Sequence, residues 1–317
     1  KYLVPGFIDA HMHIESCMLA PGELAKVLAE AGTTTIVADP HEIVNVSGSK
    51  GMDYFLRATN DILVNVFFMI PSAVPATDVE TNGAGQFLAA DMMKYVDNAR
   101  VLGLGETMRF EECCSGEKRM ADKLELFSKK HIDGHAPGIT GKQVQAYRLA
   151  GVENDHECST PEEVLDKLRA GLHIYIREGS GAKNLETLLH TLLEAEVSLD
   201  QCAFCTDDKH VEEIRKEGHI STCIRKAIAM GVPVARAYKM GSYQTAQFYG
   251  LKNYGAIGAG YRADIVFLDD LTGVHPTDVM KSGRILTKAD YVKDYSVPVP
   301  EELLHTVHTC LLYTSPS

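Results

Sequence analysis

The sequence predicts an α/β fold, a (β/α)8 barrel followed by a smaller unit of β-sheet. Three observations carry this. Strand-like and helix-like stretches alternate from residue 7 to about residue 230, and alternation of that kind builds parallel sheets. The alternation repeats about eight times, the number that closes a barrel. Beyond about residue 250 the helices stop and β-rich stretches follow one another. A doubly wound open sheet is the alternative that alternation alone permits.

The first strand is expected over residues 7–13, entered through Val4-Pro5-Gly6. A helix over 22–31 and a β-branched second strand over 33–38 follow. A helix near 50–60 leads to a strand at 64–70, and one near 85–96 to a strand at 101–104. Leu124, Leu126 and Phe127 set a helical pattern over 122–130, before a short strand at Ile132. A helix over 142–149, a strand ending near Asp155 and a helix over 161–170 come next. The last of these opens on Thr160-Pro161-Glu162-Glu163, with an N-cap, an early Pro and early acids. A strand over 173–176, a helix over 184–195, a strand over 202–205 and a helix over 220–230 complete the series. Gly32, Gly151 and Gly171 stand where helices should stop.

These elements divide the chain into a barrel over 1–250, a small β unit over 251–295 and a tail over 296–317. The β unit carries strand-like stretches at 264–268 and 279–286. The final residues of the tail match nothing before them and read as sequence foreign to the fold. Lys1 in place of Met, so close to a buried strand, leads us to expect further residues upstream.

The balance of 31 Lys+Arg against 43 Asp+Glu, a net charge of −12, argues against nucleic acid or an anionic membrane surface as partner. A small molecule is expected instead. The most apolar run, 62–70, is interrupted by Asn65 and falls short of the roughly 18–20 residues a membrane span needs. The eight cysteines, Cys113-Cys114 among them, lack a disulfide-framework spacing, which points to a reduced cytoplasmic compartment.

In such a barrel, functional groups project from the C-terminal ends of the strands. The first strand ends His11-Met12-His13, and residues i and i+2 of a strand share a face, so both imidazoles point the same way. Later strand ends supply Asp39-Pro40-His41-Glu42, Glu106, His135, His156-Glu157, Arg177-Glu178 and Asp207-Asp208. His11, His13, His135, His156, Glu106 and Asp207 therefore converge on one rim. Imidazole and carboxylate without thiolate suit Zn, Fe or Mn. Six ligands exceed one tetrahedral site, so two metals sharing a carboxylate fit better. Glu42, Glu157 and Glu178 are either site groups or solvated loop acids. Arg177 is either a substrate clamp or an ion-pair partner, and His41 either a ligand or a group that orients one. Asp133 and Asp155 either support His135 and His156 or form turns.

Some motifs mislead. Cys202-x-x-Cys205 with His13-Ile14-Glu15 imitates a zinc nucleobase-deaminase signature, but Gln201 stands where that motif needs Pro. Gly255-Ala256-Ile257-Gly258 follows no strand-then-helix pattern, so a dinucleotide site is not expected.

The segment from Pro5 to His13 resembles the opening strand of the amidohydrolase superfamily of metal-dependent hydrolase barrels. Ile14-Glu15-Ser16, Val37 to Ile43, Asp133 to Gly138, Arg177 to Ser180 and Cys205 to Asp208 narrow the resemblance to its adenine deaminases. The likeness runs from residue 4 to about 290, while Cys17 and Arg109-Phe110-Glu111 depart from the usual pattern. It implies a binuclear centre, with His11, His13 and Asp207 on one metal and His135 and His156 on the other. Glu106 stands where many relatives place a bridging carboxylated Lys. Members of this group favour Mn or Fe, and the ligand types also admit Zn.

The implied reaction is hydrolytic deamination of adenine to hypoxanthine and ammonia, a step of purine salvage. Asp207 would be the proton shuttle, Glu106 a second catalytic group, and Glu42, Glu157 and Arg177 would grip the purine. Asp39, His41 and Asp208 would orient these groups, and a homo-oligomer is expected. By the same resemblance, strands before the barrel pair with those after it in a small β-sandwich, and this chain is expected to lack part of that unit. Two rival readings use the same residues: a cyclic-amide hydrolase, against which the missing Lys counts, and a non-catalytic metal-binding fragment.

Overall fold

Eight parallel strands form the barrel of this computed structural model, which describes residues 1–77 and 83–306. The expectation that the final residues are foreign sequence falls mostly on 307–317, outside the described residues. A first strand, β1 (Tyr2–Pro5), precedes the barrel. β2 (Phe7–Met12), β3 (Thr33–Ala38), β4 (Asn65–Ile70), β5 (Val101–Thr107) and β6 (His131–Gly134) pair in sequence order. β7 (Asn154–Asp155), β8 (His173–Arg177) and β9 (Cys202–Cys205) form a second parallel run.

Hydrogen bonds cross both seams. The Glu153 N–H donates to the Ile132 carbonyl at 3.0 Å between β6 and β7. Met12 bridges in parallel to Asp207, whose N–H donates to the His11 carbonyl at 3.0 Å. The sheet thus curls back on itself, which removes the open-sheet alternative.

Strand alternation fills the interior. Ile8, Ala10, Val37, Phe67, Met69, Tyr175, Ala203 and Cys205 form one buried cluster with Tyr249 and Leu251. Phe248 lies against His131 and His173, at the N-terminal ends of β6 and β8, and so closes the floor. Two residues beyond Val37, Tyr175 and Cys205, on the same strand face, come Asp39, Arg177 and Asp207. The opposite strand faces meet helices. Leu185, Leu188, Leu189 and Leu192 line one side of the helix Leu185–Glu194 and pack with Ile174, Ile176 and Phe204. Each such leucine contributes about 1.5–3 kcal/mol by burial.

Several elements depart from expectation. The helix expected over 122–130 spans Lys118–Leu126, because the Glu117 side chain accepts the Met120 N–H and caps it there. The helix expected near 85–96 shrinks to Ala89–Met92 and a 3-10 turn at Met93–Tyr95. Helices His41–Ser47, Phe110–Ser115, Val211–Glu217, Val234–Met240, Tyr243–Phe248 and Lys288–Val292 were not anticipated. The stretch expected over 279–286 is a hairpin of β11 (Pro276–Lys281) and β12 (Arg284–Ile285). Ser282 and Gly283 turn it with φ of 50° and 82°, the left-handed pair of a tight primed turn.

β1 pairs antiparallel with β10 (Ile265–Leu268), giving a sheet ordered β1-β10-β11-β12. Val4, Val266 and Leu268 bury against Phe7 and the outer layer of the barrel. Gly6 separates β1 from β2: a Cβ there would lie 2.1 Å from Thr34 Oγ1, so no larger residue fits. One strand before the barrel is therefore present, where residues up to Gly6 were expected only as the entry to the first barrel strand and the upstream strands were expected to be lacking.

Candidate metal centre

His11 and His13 leave the end of β2 with their Nε2 atoms 3.2 Å apart. The His13 Nδ1 lies 2.8 Å from the Asp39 carbonyl, which can only accept. Nδ1 therefore carries a proton, and Nε2 is the ring atom turned to the cluster. Glu106, from β5, places Oε1 2.9 Å from His13 Nε2 and 3.1 Å from His11 Nε2. Asp207 Oδ1 lies 2.9 Å from His13 Nε2 and 3.6 Å from His11 Nε2. All four residues are buried, and their ligating atoms fall within 4.8 Å of one another.

The other carboxylate oxygen of Glu106 faces a different pair. Oε2 lies 2.7 Å from His135 Nδ1 and 3.8 Å from His156 Nε2. Glu106, His135 and His156 thus make a second group, joined to the first through one carboxylate. Glu106 Oε1, His135 Nδ1 and both ring nitrogens of His156 are buried with no partner in hydrogen-bonding geometry. Buried polar atoms left this way cost about 1–3 kcal/mol each. Their convergence, in a donor set of imidazole and carboxylate, fits divalent transition metals.

The electrostatics agree. Burial alone would raise the Glu106 carboxyl, but the surrounding imidazoles outweigh it and hold the group well below the usual carboxylate range. Burial, reinforced by the His11 ring, pushes His156 well below its ordinary value, so the imidazole stays neutral.

Surrounding groups hold the ligands. Asp39 Oδ2 accepts the Glu106 N–H at 2.9 Å, and burial pushes the Asp39 carboxyl up to about 7. A Cβ on Gly105 would lie 2.1 Å from that oxygen, so the approach requires glycine. His41 sits edge-on to His13, with Nδ1 3.6 Å from Glu106 Oε1. Glu42 Oε2 is 3.6 Å from His13 Nδ1. Arg177 donates to Asp207 Oδ2 at 2.6 Å and grips both oxygens of Glu157. Glu157 Oε1 in turn lies 3.6 Å from His156 Nε2. Asp208 stands apart: it is exposed and accepts the Ser16 hydroxyl.

Two acids were not singled out from the sequence. Asp9 Oδ1 accepts the N–H groups of His11 and Thr206, and Oδ2 accepts the Thr206 hydroxyl at 2.6 Å. Its place two residues before His11 is a signal that strand periodicity offers. Glu15 is partly buried and accepts the Ile43 N–H at 3.1 Å, which steadies the segment bearing Glu42. Its signal was its place in Ile14-Glu15-Ser16, a segment that carries the resemblance.

The Amidohydrolase family model matches residues 2–286. An adenine deaminase of Desulfitobacterium hafniense (strain Y51) is 46% identical over 309 residues, covering 97% of this chain and 54% of that protein. One of Clostridium acetobutylicum is 44% identical over 297 residues, covering 93% of this chain and 52% of that protein. The chain spans about half the length of the curated relatives it matches. Among solved structures, the crystal structure of an adenine deaminase aligns with a TM-score of 0.64 at 16% identity, covering 90% of this chain and 87% of that one. The N-acetylglucosamine-6-phosphate deacetylase of Thermotoga maritima aligns at 0.61 and 16% identity, covering 89% and 88%. These structural likenesses show a shared barrel fold, and the family match extends it to sequence. The chain belongs to the amidohydrolase family.

Proposed function

We propose that this chain carries the catalytic barrel of an enzyme that hydrolyses adenine to hypoxanthine and ammonia. The observation that carries the reading is Glu106, whose two oxygens face two separate imidazole pairs. Kinship with proteins named adenine deaminase supports the choice of substrate. His11, His13 and Asp207 would hold one divalent ion, His135 and His156 the other, and Glu106 both. Mn and Fe are favoured by the resemblance, and the donor set also admits Zn. When bound, such ions act as Lewis acids and lower the pKa of water from 15.7 towards about 7.

In the reaction, the oxygen of water bonds to C6 of adenine and one proton reaches the ring nitrogen N1. The remaining hydroxyl proton moves to the amine, which leaves as ammonia, and C6 keeps the oxygen as a carbonyl. Asp207 is the shuttle for these protons, a role worth about 10²–10⁴-fold. Its Oδ1 faces the cluster, while Arg177 holds Oδ2. Glu42 and Glu157 would accept from the N–H edge of the purine. Arg177, committed to two carboxylates, acts on the purine through them. A cytoplasmic homo-oligomer is the expected form, and the seven free cysteines of the described residues support a reducing compartment. Among the described residues no helix is long and apolar enough to cross a membrane.

The test is ammonia release from adenine by chain loaded with Mn²⁺ or Fe²⁺. Turnover of adenine is the expected result. Inert adenine with hydrolysis of a cyclic amide would move the reading to that substrate class.

A further inference from the structure

A fully buried lysine that the proposed reaction does not use joins the loops carrying His135 and His156. Lys167 sits on the helix Pro161–Arg169. Its ammonium donates to the Ala136 carbonyl at 2.7 Å and to Asp155 Oδ2 at 2.9 Å. Ala136 follows His135 directly, and Asp155 directly precedes His156. Asp155 completes the ring: Oδ1 accepts the Ala136 N–H at 2.8 Å, and Oδ2 accepts the Glu157 N–H at 3.0 Å. Both backbone polar groups of Ala136 are therefore bound by one ion pair.

The same helix grips these loops again. Glu163 Oε1 accepts the Gly138 N–H at 2.5 Å, while Oε2 accepts those of Ser159 and Thr160 at 3.1 and 2.9 Å. Glu163 Oε1 also lies 4.0 Å from Lys167 Nζ. A fully buried ammonium is costly, and apolar residues of similar volume often stabilise such a position better. Helix packing alone gives no reason for a charge here. The charge stands between two loops, each of which presents one imidazole to Glu106.

We propose that Lys167 is a positioning residue for the metal centre: through Ala136 and Asp155 it sets the His135 and His156 loops against each other and thereby tunes how tightly that half holds its ion. The inference rests on the two-metal reading above. Groups that orient ligands in this indirect way typically change metal affinity by about 10–100-fold.

Metal-free chain is titrated with Co²⁺, and bound ions are counted per chain alongside the visible Co²⁺ spectrum. Lys281→Met serves as control, since Lys281 is a largely buried lysine paired with Asp264 at 2.7 Å in the small sheet. The unsubstituted chain and K281M should each bind two ions. K167M should bind one ion normally and the second at least about 10-fold more weakly. His156→Asn should show the same selective loss and so identify the half affected. Two ions bound by K167M as tightly as by the unsubstituted chain, whatever its melting temperature, would overturn the proposal, as would equal weakening of both. Fewer than two ions on the unsubstituted chain would bring down the two-metal reading and the proposal together, a result seen before any variant is compared. Should K167M fail to fold, Asp155→Asn keeps the volume and is read by the same criteria.

Discussion

The two halves of the proposed metal centre are held by different means. His11, His13 and Asp207 hang on backbone: the Asp207 N–H donates to the His11 carbonyl at 3.0 Å, and the His13 N–H to the Asp207 carbonyl at 3.3 Å. Those bonds hold Asp207 at a φ of 56°, a conformation that costs a non-glycine residue of order 1–3 kcal/mol. His135 and His156 follow strands of only 4 and 2 residues, and side chains take over. Lys167, Asp155 and Glu163 bind the loops, and Tyr147 Oη accepts the His135 N–H at 3.0 Å. Backbone pairing places positioning in bonds that truncating a side chain leaves intact. Side-chain positioning concentrates it in a few residues, any one of which can be lost.

The largest effect should come from the backbone-held half, at the group proposed as proton shuttle. Asp207→Asn should keep two ions yet cut adenine turnover by at least about 10²-fold. Asp208→Asn should cost far less, because that carboxylate is exposed and bound to Ser16. Steady-state kinetics with metal analysis decides, and near-normal turnover by a fully loaded Asp207 variant would move the shuttle elsewhere.

Chelation should separate the halves next. Loops joined by side chains open more readily than backbone-paired ones. Dialysis against a chelator should release one ion at least about 10-fold faster than the other, and His135→Asn should abolish the fast phase. Release of both ions in a single phase would erase the distinction.

A smaller effect tests how far the first half depends on backbone alone. Asp9 accepts three donors from His11 and Thr206, and Asn offers only one acceptor oxygen. Asp9→Asn should lower unfolding free energy by about 1–3 kcal/mol in urea titrations. An unchanged value would mean that the strand pairing suffices.

A comparable effect, spread over pH, concerns the support of Glu106, whose two oxygens face both halves. Its carbonyl accepts the Ser72 hydroxyl at 2.5 Å, and the Ser72 carbonyl accepts Lys123 Nζ at 2.5 Å. Burial pushes the Lys123 ammonium down to about 8 from 10.5. Between those values the unfolded chain binds more protons than the folded one, so this group adds stability as pH rises through the window. The gain is at most about 1.4 kcal/mol per pH unit. Urea midpoints of the unsubstituted chain should therefore rise relative to Lys123→Met between about pH 8 and about pH 10. A constant difference would mean that Lys123 keeps its charge throughout.

What could be read in the sequence follows the range of the signal. Strand ends were legible because a period of two predicts which residues share a face, and the structure brings His11, His13, Glu106, His135, His156 and Asp207 together. The helix Pro161–Arg169 was legible from its N-cap, early Pro and early acids, and the structure joins Thr160 and Glu163 in a capping box. Tyr243–Phe248 was not, since 6 residues are too few to display a helical period. Lys167 was illegible for a different reason. A lysine late in an amphipathic helix reads as a solvated charge, and only the arrival of Ala136 and Asp155 buries it. Tyr2–Pro5 was not read as a strand of its own because its partner, β10, lies almost the whole chain away.

That long-range pairing also imposes an order of assembly. Leu3 lies opposite Phe267, so on a ribosome adding about 5–20 residues per second the strand emerges some 13–50 s before its partner. Through that interval the barrel strands can collect their neighbours one after another, while Tyr2–Pro5 offers an open edge. The small sheet thus closes after the barrel strands, and a nascent chain that stops short of Ile265 leaves Tyr2–Pro5 without β10, an edge for other chains to find.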